Sequence, residues 1–225
     1  METEFRASMV KAAAAVMHCE YCCEQTLPGD QPQPGWVGRD YVPGRGVVVV
    51  LQNPAVAPTI YDPQRESRFQ EALRGFSADP NLKTYEHLMQ LAFDDMTGGN
   101  GVPSWPKWTH PIGKLFDQPN RAAEELRAAQ HCSRLAWMNV VKFRTAENSA
   151  VPPRAVHHSI NMHLRHELEV LRPKALVSIG SAARKALNEL SLSKNLVRGH
   201  LKLQGASNAE VKTLQMLLHE SGVDL

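Results

Sequence analysis

Four short runs of apolar residues along the chain predict the strands of a buried sheet. The first run is Gly46 followed by four valines and Leu51, and the others cover residues 135–141, 175–179 and 196–203, the last of which is a strand or an extended loop. Consecutive apolar residues without alternation are typical of strands covered on both faces, as in parallel sheets. The pattern therefore predicts a central, mostly parallel, four-stranded sheet.

Amphipathic segments between and around these runs predict helices. Their approximate ranges are residues 3–18, 64–76, 82–96, 119–130, 156–171, 181–190 and 207–220. Strands that alternate with helices imply a parallel sheet between helical layers. We therefore expect an α/β protein with a three-layer α/β/α sandwich, and a single domain that spans residues 1–225.

The composition fits one globular domain in a reducing compartment. The chain has 225 residues, of which 43% are hydrophobic and 21% charged, and only four are cysteines. Four cysteines do not suggest a disulfide scaffold in a chain with this many core residues. With no apolar run of membrane-spanning length and no signal-peptide pattern, we expect an intracellular protein, cytoplasmic or associated with the nucleoid. The formal charge of +2 permits a nucleic-acid partner without arguing for one.

Polar residues end the first strand at the place where α/β sheets bind their ligands. Gln52 and Asn53 follow the valine run, and Pro54 ends the strand because its nitrogen cannot donate a hydrogen bond. Open α/β sheets bind ligands beyond the carboxyl ends of their strands. Gln52 and Asn53 are therefore candidate site residues. The alternative is an ordinary turn, since asparagine before proline commonly opens one.

Four motifs, in order along the chain, resemble the uracil-DNA glycosylase superfamily. Leu51-Gln52-Asn53-Pro54-Ala55 is similar to the first active-site motif of that superfamily. The segment from Asn139 to Arg144 is similar to the Asn-Val-Val-Lys-Cys-Arg segment of its iron–sulfur branch, and residues 171–183 to the strand and turn that follow. Gly199-His200 is similar to the start of the C-terminal His-Pro-Ser loop.

The resemblance covers residues of about 45–205 and includes departures from the family pattern. Ala55 replaces the usual glycine, and Leu201 replaces the proline that follows the histidine. The separation of Asn53 from Asn139 is long for the superfamily, which implies an insertion around residues 77–120.

The resemblance implies hydrolysis of the N-glycosidic bond between DNA and uracil, or a related deaminated or modified base, after base flipping. Asn53 would position the attacking water, and His200 would donate a hydrogen bond to O2 of the departing base. Asn139 would recognise the uracil edge, Gln52 would line the pocket, and Phe69 would stack on the base. From the residues alone, each of four residues has a structural alternative. Asn53 could be a turn residue and His200 a structural histidine. Asn139 could be a strand-end amide and Phe69 a core helix residue.

Polar residues after the later strands are candidates for contact with the DNA backbone. Lys142, Arg144 and Ser207 would bind phosphates, and Arg198 and Lys202 are also available. Each could equally be an ordinary surface residue. The expected partner is DNA that contains uracil or a modified base, and the expected state is a monomer.

The cysteines resemble half of an iron–sulfur site. Cys19 and Cys22 match the first pair of ligands in that branch, but position 143 is phenylalanine and residues 159–161 contain no cysteine. We therefore expect no cluster, no bound metal and no cofactor. An open alternative is a metal held by Cys132 with one of the N-terminal cysteines and a histidine. The histidines of the helix at 156–171, at positions 157, 158, 163 and 166, are expected to face solvent or to cap it.

Two alternatives to a glycosylase remain open. The first is a weak or inactive protein of the same fold that binds DNA without cutting it, which the departures from the motifs favour. The second is an unrelated α/β enzyme that acts on a free nucleotide or nucleoside.

Overall fold

The computed structural model of the chain describes residues 2–52, 54, 63–96, 133–145, 151–192, 196–202 and 207–223. Its strands in these ranges are β1 (Trp36–Val37), β2 (Val47–Leu51), β3 (Leu135–Asn139), β4 (Ala175–Ile179) and β5 (Val197–Leu201). Together they form one mixed sheet in the order β1-β3-β2-β4-β5.

The helices of the same ranges lie before, between and after the strands. They are α1 (Glu2–Met17), α2 (Glu20–Gln25), α3 (Pro63–Ala78), α4 (Leu82–Met96), α5 (Pro153–Ser159), a π-helical turn (Ile160–Leu164), α6 (Arg165–Leu171), α7 (Ser181–Glu189) and α8 (Asn208–Glu220). None of these described helices has the length and apolar character needed to cross a membrane.

The valine-rich strand β2 lies at the centre of the parallel part of the sheet. It pairs in parallel with β3 on one side and with β4 on the other, and β5 extends the sheet in parallel beyond β4. All four of its valines are buried. Two parallel neighbours and cover on both faces are the environment that an unbroken apolar run requires.

The structure confirms a mixed α/β fold with a mostly parallel sheet, and it corrects the number of strands. The four predicted strands are present, but β1 adds a fifth, which pairs antiparallel with β3 through Trp36 opposite Trp137. The prediction of a four-stranded sheet was therefore wrong by one short edge strand. Of the expected insertion at residues 77–120, the part up to Met96 belongs to α3 and α4, and the remainder lies outside the described residues.

The helix predicted at residues 156–171 differs most from its prediction. Helical structure begins at Pro153 and continues to Leu171, but the π-helical turn interrupts it between Ile160 and Leu164. The Arg165 N–H donates to the Ile160 carbonyl, five residues back rather than four. Such a turn changes which side chains share a face of the helix.

The N-terminal helix α1 joins the other helices into one core. It packs against α3, α4 and α6, and buries Phe5, Met9 and Val16. The Phe5 ring stacks on Tyr41, whose hydroxyl donates to the Leu171 carbonyl at the end of α6 (3.3 Å). The first and the later parts of the chain therefore share a continuous hydrophobic core.

Gly38 allows the segment after β1 to run close beside the start of β3. The Gly38 N–H donates to the Leu135 carbonyl, and the Asp40 N–H donates to the Ser133 carbonyl, both at 2.8 Å. A Cβ at Gly38 would overlap the backbone carbonyl of Ser133, which cannot move without breaking this pairing. Only glycine fits here, for steric reasons.

We expect Gly38→Ala to lower the free energy of unfolding by about 1–3 kcal/mol, because the added methyl group overlaps backbone atoms. Gly75→Ala is the matched control, since a Cβ at this position in α3 meets no atom within 4 Å. It should stabilise the protein by up to about 1 kcal/mol through helix propensity. Urea denaturation of both variants measures the difference, and equal stabilities would contradict the close approach at Gly38.

Candidate functional site

Two amide side chains lie at the carboxyl ends of the neighbouring strands β2 and β3. Asn139 is the register partner of Leu51, and Gln52 follows directly. The pairing continues past the strands, because the Val140 N–H donates to the Leu51 carbonyl and the Val141 N–H to the Gln52 carbonyl, both at 2.8 Å. Gln52 and Asn139 are half-buried. The structure therefore brings these two predicted site residues to one edge of the sheet.

The strand order makes this edge a favourable place for a ligand. In sequence order, β3 follows β2 and lies on one side of it, and β4 lies on its other side. Open α/β sheets bind ligands at such a reversal of strand order. At the end of β4, Gly180 adopts φ 82° before α7 begins, a conformation that suits glycine. Because β2 lies between β3 and β4, Gln52, which directly follows β2, lies at the topological switch point.

His200 lies on β5 and is held by a serine of the neighbouring strand. Its Nδ1 is 3.1 Å from the Ser178 hydroxyl oxygen, which is also 3.2 Å from the Gly199 carbonyl oxygen. The hydroxyl has one proton, so it can donate to only one of these two partners. If it donates to Gly199, Nδ1 must carry its own proton, and if it donates to Nδ1, the proton of a neutral ring is on Nε2.

The structure does not bring His200 alongside Asn139. Met138, Val50, Ser178 and His200 are in register across four strands, so their side chains share one face of the sheet. Asn139 follows Met138, and its side chain therefore leaves the strand on the opposite face. Three strand spacings, about 14 Å, also separate β3 from β5. His200 therefore lies two strands from β2 and three from β3, and on the opposite face of the sheet from Asn139.

Lys142 does not lie on a surface where a phosphate could bind, contrary to its predicted role in DNA binding. Its side chain has 0% exposure, and its ammonium pairs with the Glu167 carboxylate, whose side chain has 2% exposure. The Gly35 N–H donates to the other oxygen of Glu167 (3.2 Å). The positive charge of Lys142 is therefore used inside the protein.

Arg144 is also engaged within the protein, so its predicted contact with DNA is not supported. Its guanidinium donates two hydrogen bonds to the Glu66 carboxylate, at 2.5 and 3.0 Å, and lies 3.7 Å from Asp30. Burial opposes ionisation of Glu66, but hydrogen bonds from Arg144 and Gln70 bring its pKa below the usual value. This paired arginine joins the segment after β3 to α3.

Ser207 caps a helix instead of offering its hydroxyl to a phosphate. Its hydroxyl accepts from the Glu210 N–H (3.2 Å), and the Glu210 carboxylate accepts from the Ser207 N–H (2.8 Å), which forms a capping box at the start of α8. The Ser207 N–H and the Lys202 ammonium lower the pKa of Glu210 to about 2. A carboxylate therefore occupies this helix N-terminus and repels a phosphate there.

The remaining predicted residues divide into one that is described and several that are not. Phe69 lies on α3, partly buried against the core, as its alternative interpretation as a core helix residue requires. Asn53, Cys132 and the tryptophans at 105 and 108 lie outside the described residues. The role of Asn53 therefore stays a prediction.

Two cysteines and two histidines converge at a second place in the structure. Cys19 Sγ lies 3.3 Å from His158 Nε2, and Cys22 Sγ lies 3.5 Å from His163 Nε2. One donor atom from each of the four residues lies within 4.8 Å of the others. We refer to these four residues as the Cys–His cluster.

The two histidines of the Cys–His cluster correct the expectation that the histidines of this helix face solvent. His163 is buried with 5% exposure, and His158 packs at 4.4 Å between ring centroids on Tyr21. His157 and His166 are exposed, as expected. On a regular α-helix, positions 158 and 163 point about 140° apart, which is why helical periodicity could not pair them.

Burial sets the protonation of the Cys–His cluster. Burial and the nearby Lys142 ammonium lower the pKa of His163 to about 4, so its ring is neutral at neutral pH. Burial and the hydrogen bond with Cys19 raise the pKa of the Cys22 thiol. A neutral imidazole is ready to bind a cation, while the thiol must lose its proton on binding.

We expect Glu167→Gln to lower the free energy of unfolding by about 3–5 kcal/mol, because it leaves the Lys142 ammonium buried without a counter-charge. Glu169→Gln, on the same helix but with a side chain 67% exposed, is the control and should change stability by less than about 0.5 kcal/mol. Adding Lys142→Met to Glu167→Gln should cost less than the sum of the single changes. Additive effects in urea denaturation would contradict a coupled pair.

We expect His200 to titrate below the ordinary histidine pKa of about 6.5, because burial and the nearby Arg184 disfavour its charged form. The fold then favours neutral His200, so its contribution to stability is complete above the unfolded-state pKa and is lost as pH falls through the folded-state pKa. NMR titration of the imidazole protons, assigned with a His200→Gln variant, measures the midpoint. A midpoint at or above that of the urea-unfolded chain would show that the environment does not oppose protonation.

Comparison with known proteins assigns no family to this chain. No protein-family model matches the sequence, and no curated protein matches it. The resemblance to the uracil-DNA glycosylase superfamily therefore depends on its short motifs alone. The geometry at the carboxyl edge of the sheet is the basis on which a function can be proposed.

Proposed function

We propose that this chain is a DNA glycosylase that hydrolyses the N-glycosidic bond of uracil, or of a related deaminated or modified base, in DNA. The proposal includes a three-layer α/β/α sandwich as its scaffold. A glycosylase of this kind takes the base out of the stack and binds its polar edge in a pocket. Water then replaces the base at the sugar carbon, and hydrogen bonds stabilise the negative charge of the departing base.

The observation that carries the proposal is the placement of Gln52 and Asn139 at the carboxyl ends of the adjacent strands β2 and β3. The backbone hydrogen bonds from Val140 and Val141 fix the separation of β2 and β3 beyond their last residues. Two amides held at the switch point can form directional hydrogen bonds to a planar polar ligand without a net charge. A pyrimidine edge, with alternating donors and acceptors, is such a ligand.

Asn139 has the side chain that could distinguish uracil from cytosine. A carboxamide carries a donor and an acceptor, so it can donate to one carbonyl of uracil and accept from the ring N–H. Cytosine presents a different pattern and leaves one of these groups unpaired, which is costly in a dry pocket. Asn53 follows Gln52 and, in this proposal, orients the attacking water.

His200 has a smaller role in the proposal than the sequence motif suggests. To donate to O2 of the base, a neutral His200 must carry its proton on Nε2, which requires the Ser178 hydroxyl to donate to Nδ1. Its position on β5, on the other face of the sheet from Asn139, separates it from that amide. We therefore expect His200→Ala to slow base release less than Asn139→Ala does.

A second candidate function is hydrolysis of a free nucleoside or nucleotide, and one set of contacts favours it. Lys142 pairs with the buried Glu167 and Arg144 with the half-buried Glu66, and the hydroxyl of Ser207 is used in a capping box. Three groups expected to contact a DNA backbone are therefore engaged within the protein. Arg198 is exposed on β5, and Lys202 pairs with Glu210 (3.1 Å). A small substrate would need fewer cations than a DNA strand does.

Excision of uracil from single-stranded and double-stranded oligonucleotides, followed by alkaline cleavage, tests the proposal. We expect strand scission by the wild-type protein and a loss of about 100-fold or more in kcat/KM in Asn139→Ala, because a buried hydrogen bond to the reacting base is removed. Asn53→Ala should also lose activity. Asn188→Ala removes an exposed amide from α7 and should retain the wild-type rate.

The outcomes separate the candidate functions. Equal scission by wild-type and Asn139→Ala protein would exclude the proposed recognition of the base. Tight binding to uracil-containing DNA without scission would support a non-catalytic DNA-binding protein. Release of uracil from deoxyuridine or its monophosphate, but not from an oligonucleotide, would support the second candidate.

A further inference from the structure

The four donor atoms of the Cys–His cluster have the spacing of ligands around one small ion. In a tetrahedral zinc site with Zn–S bonds of 2.3 Å and Zn–N bonds of 2.0–2.1 Å, donor atoms lie about 3.3–3.8 Å from each other. The sulfur–nitrogen contacts at Cys19–His158 and Cys22–His163 measure 3.3 and 3.5 Å, and the whole set lies within 4.8 Å. The two sulfur–nitrogen contacts fall within this range, and the widest separation exceeds it by at most about 1 Å, a distance that side-chain rotation can close.

Two local backbone features produce this convergence. Cys19 caps the short helix α2, and its Sγ accepts a hydrogen bond from the Cys22 N–H (3.4 Å), which turns both sulfurs to the same side. On the other side, the π-helical turn at Ile160–Leu164 brings His158 and His163 to a common face. Single π-helical turns are rare and are found frequently at functional sites.

Burial argues against a reactive thiol as the purpose of the cluster. Cys22 has 0% exposure and His163 has 5%, whereas a nucleophilic cysteine needs access to its substrate. The cysteines are free, so no disulfide accounts for their proximity. Four polar groups that converge, two of them buried and two half-buried, are best explained by a ligand that they share.

The spacing also argues against an iron–sulfur cluster. Cysteine and histidine pairs bind different irons in a two-iron cluster, and bridging sulfides keep the two pairs further apart than four donors around a single ion. A four-iron cluster takes four cysteines, and this set provides two. Two thiolates and two neutral imidazoles form instead the ligand set of structural zinc sites.

We propose that Cys19, Cys22, His158 and His163 bind one Zn²⁺ ion in a closed tetrahedral site. On binding, the two thiols release their protons to solvent, and the two thiolates balance the charge of the ion. All four positions are filled by protein, so no position is open to water or substrate, and the role of the ion is structural. It links the α1–α2 junction to the helical segment at 153–171. Cys19 and His158 are 139 residues apart in the chain, and Cys22 and His163 are 141 apart.

The zinc site predicts a defined metal content and a metal-dependent stability. Full-length protein stripped with EDTA and dialysed against ZnCl₂ should bind one zinc ion per chain, measured by elemental analysis, and should unfold at a higher temperature than the stripped protein. With CoCl₂ in place of zinc, the protein should show the intense visible bands of tetrahedral Co²⁺ and a thiolate charge-transfer band.

Matched variants identify the ligands. Cys19→Ser and His158→Asn should bind zinc at least about 10-fold more weakly and lose the thiolate or tetrahedral signature of Co²⁺. Cys23→Ser and His157→Asn change the exposed neighbours and should retain wild-type zinc content and Co²⁺ spectrum. If the ligand variants fold poorly, the zinc content and Co²⁺ spectrum of the wild-type and control proteins still test the proposal.

Three results would overturn the proposal. They are no uptake of zinc or cobalt by the wild-type protein, uptake that is unchanged in the ligand variants, and iron with acid-labile sulfide in the purified protein. Each readout concerns metal content, spectrum or unfolding. The outcome is therefore independent of whether the protein excises a base.

Discussion

The buried ion pair between Lys142 and Glu167 is the interaction on which the two candidate sites of this protein both depend. Lys142 follows β3 by three residues, and Glu167 lies on α6, where its carboxylate also accepts from the Gly35 N–H. Taking two charges out of water is costly, so this pair contributes a fixed geometry more than net stability. The pair fixes the segment that follows Asn139. The Lys142 ammonium also lies close enough to His163 to lower the pKa of that histidine.

Two ion pairs engage the positive charges of the described segment that follows β3. Lys142 and Arg144 follow β3, where their charges could attract a phosphate. Lys142 pairs instead with the buried Glu167, and Arg144 pairs with the half-buried Glu66. Among the described residues at the carboxyl ends of β2 and β3, the amides of Gln52 and Asn139 are available to a ligand, and they suit recognition of a neutral planar group. The Cys–His cluster, by contrast, has no open position and suits a structural ion.

Local patterns along the sequence were sufficient for most of the architecture. The valine run of β2, the apolar runs of β3 and β4 and the amphipathic pattern of α4 predicted their elements, because burial on both faces or on one helical face imposes a period that the chain must show. The strand β1 escaped prediction because Trp36–Val37 is too short to show a period and exists through its pairing with β3. The π-helical turn escaped for a related reason, since α-helical periodicity assumes 3.6 residues in each turn.

The sequence by itself determined the mixed α/β fold and the position of Gln52 at the end of β2, because a proline and a change from apolar to polar residues mark that end locally. Asn139 lies inside the run predicted as a strand, residues 135–141, and the end of β3 at this residue emerged only from the structure. Only the tertiary structure decided which charges remain for a ligand. The pairing of Lys142 with Glu167 joins positions 25 residues apart in the chain, and Arg144 with Glu66 joins positions 78 apart. The convergence of Cys19 and Cys22 with His158 and His163 likewise depends on packing across the fold, and no local pattern in the sequence encodes such distances.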